Sequence, residues 1–129
     1  MAALLAFEAE TDIERQIVKT RDEGLSGDAL IRQMADATLY IPSTAEVQPD
    51  GRGFTPVLMD QEGSPLVVVF TAKSRQPQDM AGYMVQMNGR QFFLRLPAGY
   101  GVVFNPGYDA QMLLPPHGAA SLKEDLRGQ

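Results

Sequence analysis

Five residues able to hold or bind a polar group stand where two apolar runs stop. Leu66-Val-Val-Val-Phe70 ends at Thr71, with Lys73 and Arg75 just beyond, and Gly101-Val-Val-Phe104 ends at Asn105, with Tyr108 shortly after. Short β-rich apolar runs with polar endings read as buried strands. If the two strands are parallel neighbours, their C-terminal ends lie together, where open sheets bind ligands. Thr71 and Asn105 are then ligand-contact candidates. The alternative is that Asn105, which precedes Pro106, ties its turn through neighbouring backbone groups. Lys73 and Arg75 would contact an anion or an acidic peptide. Tyr108 and Met84 are candidates for an exposed apolar contact with a partner.

Catalytic chemistry has little to work with. His117 is the single histidine, between Pro116 and Gly118, and nearby residues supply no partners for a basic or ligating imidazole. The absence of cysteine removes thiolate nucleophiles and cysteine-held zinc or iron–sulfur sites. Asp50, Asp60 and Glu62 do not follow the spacing of a calcium loop, and turn chemistry accounts for Asp50 and Asp60. Gly99, Gly101 and Gly107 form neither phosphate-binding fingerprint. The expectation is no catalytic residue, no metal and no cofactor. An enzyme working with carboxylates alone is a third and weaker class, behind protein binding and small-ligand binding.

Composition narrows the partners. The 129 residues suit one domain, 1–129, and 44% hydrophobic with 21% charged residues is ordinary for a globular chain. A net charge of -5 argues against binding nucleic acid or an anionic membrane. The charge is unevenly spread. Between Leu66 and Tyr108, Lys73, Arg75, Arg90 and Arg95 against Asp79 leave +3, while seven cations against fifteen carboxylates leave the remainder at -8. Such a basic region can steer acidic partners; dispersed charges that merely keep the surface soluble are the plainer account. The opening Met1-Ala-Ala-Leu-Leu-Ala-Phe7 lacks a positive flank and meets Glu8 and Glu10 at once, unlike a targeting segment. A cytoplasmic location is expected.

The elements that must position these residues begin with two helices. Thr11-Asp-Ile-Glu14 matches a capping box, with Glu14 reaching back to Thr11, before Ile13, Ile17 and Val18 and a stop at Gly24. A second helix runs from about Ser26 to Asp36 with Leu30, Ile31 and Met34 inward. Thr38–Ile41 reads as a strand that Pro42 terminates, and residues 43–55 as a long polar loop. Residues 56–59 and 66–70 flank a four-to-five-residue hairpin loop, and 66–70, apolar throughout, should be a central strand covered on both faces. Asn88-Gly89 is a hairpin signal, yet Phe92, Phe93 and Leu96 recur at helical spacing and Asn88 can cap. A strand to Met87 followed by a short helix that Pro97 ends is the preferred reading. Val102–Phe104 is the last buried strand, Met112–Leu114 a short edge strand, and Pro115-Pro116 opens a final helix. The fold class is α+β: two N-terminal helices, a mixed sheet of about five or six strands, a short helix before the last buried strand, and a C-terminal helix.

The order of a helical hairpin ending Ala37-Thr-Leu-Tyr-Ile-Pro42, a strand ending Val69-Phe70-Thr71, then Tyr100-Gly-Val-Val-Phe-Asn-Pro-Gly107 and a closing helix after Leu114-Pro115 resembles the SseB N-terminal-domain family of bacteria. The likeness runs from about Ile13 to Leu126. Family members often carry a tryptophan after the phenylalanine-threonine end; this chain has Pro77 and Met80 there instead. The resemblance implies a small α+β domain with a mixed sheet. It implies no particular chemistry, and points toward a non-enzymatic protein-interaction or regulatory role, in secretion or toxin immunity among others, with a protein partner. The alternative is a small-molecule or anion-binding domain using the strand ends near Thr71 and Asn105.

Overall fold

The computed structural model of the protein describes residues 4–128; Met1-Ala2-Ala3 of the opening apolar run lie outside them. Helix α1 (Asp12–Asp22) starts at Thr11, whose hydroxyl accepts from the Glu14 amide at 3.3 Å. Glu14 does not return to Thr11: its carboxylate accepts from the Glu10 amide at 2.9 Å. Helix α2 (Gly27–Met34) is capped by Ser26 and turns Leu30 and Met34 into the core.

Six strands follow: β1 (Thr38–Ser43), β2 (Leu58–Gln61), β3 (Ser64–Val69), β4 (Tyr83–Asn88), β5 (Gly101–Phe104) and β6 (Met112–Leu114). They form two sheets. The larger has the order β2-β3-β5-β6, and β1 with β4 forms an antiparallel ribbon. The expected single mixed sheet is therefore divided, although the ribbon stays attached where Tyr40 and Phe70 exchange backbone hydrogen bonds of 2.8 and 2.9 Å. The larger sheet is mixed: β3 and β5 are parallel, with Val69 beside Phe104, and the other pairs are antiparallel.

Two local expectations need correction. Pro42 does not end β1, because the ladder continues through it to Ser43 and its carbonyl accepts from the Val57 amide. The β2–β3 turn is not four to five residues long. Glu62 and Gly63, both at positive φ, close it alone, which is the backbone a two-residue hairpin needs to match strand twist.

Helix α3 (Gly89–Arg95) forms as its apolar spacing requires, with Asn88 accepting from the Arg90 amide at 2.9 Å. Its start lies against the end of α2: the Gly89 and Arg90 amides donate to the Ala37 and Ala35 carbonyls. A Cβ at Gly89 would stand 1.9 Å from the Met34 carbonyl oxygen, so only glycine permits this approach. Helix α4 (Pro116–Arg127) closes the chain and buries Ala119, Leu122 and Leu126.

All four helices contribute to one core with Val67, Val69, Val102 and Phe104 from one face of the sheet. Each fully buried Phe or Leu side chain there removes enough apolar area to contribute about 1.5–3 kcal/mol. Leu66, Val68, Phe70 and Val103 form a second, smaller cluster under Tyr40, Val57 and Met80. The β3 strand is thus central and covered on both faces. No helix among the described residues is long and apolar enough to cross a membrane.

Candidate functional site

The parallel pairing of β3 and β5 brings Thr71 and Asn105 together, as the sequence allows. What they meet there is the protein itself. Asn105 leaves β5 at φ +54°, a left-handed turn that asparagine tolerates better than most residues. Its amide oxygen accepts from the Thr71 backbone N–H at 3.1 Å, and its Nδ2 donates to Thr71 Oγ1 at 2.9 Å. The Thr71 hydroxyl donates in turn to Glu14 Oε2 at 2.5 Å. All three side chains are fully buried.

The carboxylate at the centre of this chain is answered by Arg75, itself only 5% exposed. Residues Lys73–Arg75 form a single 3-10 turn after the strand end, which points the guanidinium back inward. Arg75 Nε donates to Glu14 Oε2 at 2.5 Å and Nη2 to Oε1 at 2.8 Å, the two-pronged geometry of a planar guanidinium on a carboxylate. Nη2 also donates to the Glu8 carbonyl. The Arg75 Cζ lies 4.0 Å from the Phe7 ring centroid and 5.0 Å from that of Tyr108. Tyr108 then donates from its hydroxyl to the Arg75 carbonyl at 3.1 Å. Burial alone would push the Glu14 carboxyl up; hydrogen bonds from Arg75, Thr71 and the Glu10 amide, with the Arg75 charge, outweigh it and hold the group below its ordinary value. The same bonds to Glu14 hold the guanidinium more firmly protonated than usual.

The N-terminal segment is fastened over this cluster. Leu5 exchanges backbone hydrogen bonds of 2.9 Å with Gly107 and Asp109, and the Phe7 amide donates to Asp109. Thr71, Arg75 and Asn105, three of the five sequence candidates, therefore face inward with their polar groups engaged. Arg75 answers an internal carboxylate, where an external anion or peptide was expected, because its turn aims it at α1. Tyr108 is half-buried as a wall of the same cluster. Lys73 alone of the five is exposed, with no hydrogen bond or ion pair among the described residues.

A different feature is open. Residues 44–57 arch over the core face of the sheet beside β4 and α3 and partly enclose a cavity of about 530 Å³, open to solvent on one side. Phe54, Val67, Met87, Phe92 and Leu96 give it an apolar lining, while Gln48, Gln86, Gln91 and Arg95 supply polar groups. The arch is built and not slack. The Gln48 amide donates to the Arg52 carbonyl and the Gly51 amide to the Gln48 carbonyl, both at 2.8 Å. Gly53, at φ +87°, lets the chain pass so close to the Glu46 carbonyl that a Cβ would sit 2.3 Å from its oxygen.

The cavity has little signature in the sequence. Phe54, an aromatic within an otherwise polar loop, and Arg95, one of the four cations of the basic segment, were its visible signals. The remaining polar candidates are dispersed. His117 is exposed in the first turn of α4, and Asp60 accepts from Gly63 in the hairpin turn. No three histidine or carboxylate side chains converge as a metal site among the described residues. Among the described residues the exposed large apolar side chains are Leu4, Leu5, Leu25, Leu58, Met59, Tyr83 and Leu113; Met84 is half-buried.

No curated protein and no solved structure matches this chain. The family model of the SseB protein N-terminal domain matches residues 13–120, from the first core residue of α1 into α4. That span holds both sheets, the buried cluster around Thr71 and the cavity, and by it the chain belongs to the SseB N-terminal-domain family.

Proposed function

We propose that this domain is a non-catalytic interaction module of a regulatory, secretion-related or immunity system, and that it binds an extended segment of a protein partner along strand β2. The observation that carries this reading is the character of that strand. β2 lies at the edge of the larger sheet, and all four of its residues are exposed. Leu58 is 46% and Met59 44% exposed, on opposite faces because side chains alternate along a strand.

Edge strands of stable monomers are usually blunted by short length, charge, proline or a covering element, and of these β2 has its four-residue length and one charge. Here the strand's single charge, Asp60, is drawn into the hairpin turn by its bond to the Gly63 amide. The outer backbone groups of β2 have no neighbouring strand among the described residues. A partner strand added at this edge would gain ladder hydrogen bonds and touch both apolar side chains. Lys73, exposed just beyond the end of β3, favours an acidic partner.

The test is affinity capture from native lysate with the wild-type protein, Leu58→Lys/Met59→Lys, and Lys73→Glu side by side. A stoichiometric protein retained by the wild type and lost on the double substitution supports the reading. Retention of every captured protein by the double variant would sink it. Loss on Lys73→Glu alone would move the contact to the other end of β3.

A further inference from the structure

We propose that the cavity beneath residues 44–57 is a binding site for a small anionic amphiphile, an apolar body carrying one carboxylate, with the carboxylate on Arg95. Its volume of about 530 Å³ lies inside the range typical of small-molecule sites, and its mixture of apolar walls with few polar groups is the usual composition of such sites. Phe54, Val67, Met87 and Phe92 would take the body. Gln48, Gln86 and Gln91 lie within the same lining and can donate amide hydrogens to a head group.

Charge selects the head group. Arg95, the last residue of α3, is exposed and makes no ion pair or hydrogen bond among the described residues. The single carboxylate in the lining, Asp50, already has a counter-charge: Arg52 Nε lies 2.6 Å from it, and the Arg52 amide also donates to it. The cavity therefore carries one uncompensated positive charge on a protein whose net charge is -5. A guanidinium left open beside an apolar wall fits a planar carboxylate through paired hydrogen bonds better than it fits a neutral head group. The arch is held by its own backbone bonds and by the close pass at Gly53, so little ordering is needed on binding.

Neither Leu58 nor Met59 lines the cavity, so variants there and at Arg95 separate this site from the β2 edge. The probes are 4-phenylbutyrate and its neutral isostere 4-phenylbutanamide, titrated into the full chain labelled with nitrogen-15. A probe of twelve heavy atoms is expected to bind in roughly the low millimolar range. The expected result is saturable shifts confined to the amides of residues 47–56, Val67 and residues 85–97. The carboxylate should bind about fivefold tighter than the amide, and Arg95→Gln should abolish that preference while leaving amide binding intact. Equal affinity of the two probes, an unchanged preference in Arg95→Gln, shifts scattered elsewhere, or no saturable shift would each overturn the proposal. Concentration-dependent shifts of these same amides without any probe would place a second copy of the chain in the cavity and overturn it as well.

Discussion

Arg75 and Arg95 belong to one basic segment, and the fold uses them in opposite ways. Arg75 is sealed between Phe7 and Tyr108, its guanidinium fixed on Glu14. Arg95 stands at the rim of an apolar cavity with nothing to hold it. The first region looks like a ligand site in the sequence and is a closed structural clasp joining α1, the end of β3, the end of β5 and the N-terminal segment. The second reads as a polar loop and a helix end, and is where the molecule is open. Polar residues at paired strand ends thus indicate that something must be bound there; whether it comes from outside depends on whether the chain supplies it first. Here α1 supplies it.

The largest effect is expected at the clasp. Arg75→Met should destabilise the domain by about 3–5 kcal/mol, because it leaves the fully buried Glu14 carboxylate without its counter-charge, and Glu14→Gln should cost less, because Arg75 keeps the Glu10 carboxylate at 3.5 Å. Chemical denaturation of each variant checks this. Glu14→Leu/Arg75→Met should recover a large part of the loss, since an apolar pair strands no charge. A loss under about 1 kcal/mol for Arg75→Met would mean the clasp opens at little cost, and the Thr71 end would return as a candidate site.

The acid limb of stability follows from the same carboxylate. The Glu14 pKa is depressed in the folded state, so its contribution is fully present above the unfolded carboxylate value of about 4.3 and is lost as pH falls through the lower folded value. Denaturation midpoints of the wild type should fall as pH drops below about 4.3. The midpoints of Glu14→Gln should fall less over that interval, the difference being this group's share. Parallel curves would assign the acid sensitivity to other carboxylates.

Asn105 ranks next. Asn105→Gly keeps access to φ +54° but removes two bonds to Thr71, and should cost about 1–3 kcal/mol. Asn105→Ala should cost more, since it loses the same bonds and is strained at that φ. Thermal unfolding of the pair ranks the two effects. Equal losses would show that the hydrogen bonds, and not the backbone turn, are the reason for asparagine here.

The sequence made some of this legible because the signals were local. The Asn88 cap and the spacing of Phe92, Phe93 and Leu96 place α3 against a competing hairpin signal, and Leu66–Phe70 announces a strand buried on both faces. The clasp was half legible: the strand ends could be paired, but Glu14 already had a local role in the capping box, so nothing in the sequence directed it across to Thr71 and Arg75. The two-residue turn escaped because glutamate at positive φ is uncommon, and the end of β1 because Pro42 looks terminal. The cavity could not be read at all. It arises from where residues 44–57 fold back, which depends on contacts between Phe54 and a distant core and on the close pass at Gly53.

The smallest expected effects lie at the open region, and they test the comparison from the other side. Arg95→Gln and Gln91→Ala should change folding stability by no more than about 0.5 kcal/mol, since both side chains are exposed and Arg95 makes no contact whose loss would strand a partner. Lys73→Glu should be equally mild. A stability loss at Arg95 approaching that at Arg75 would mean that the guanidinium supports the arch, and the contrast between a closed and an open arginine would collapse. Near-neutral folding combined with a lost preference for the carboxylate probe would sharpen it instead. Arg75 would then be a residue retained for the fold, and Arg95 one whose cost of removal appears only when an anion is present.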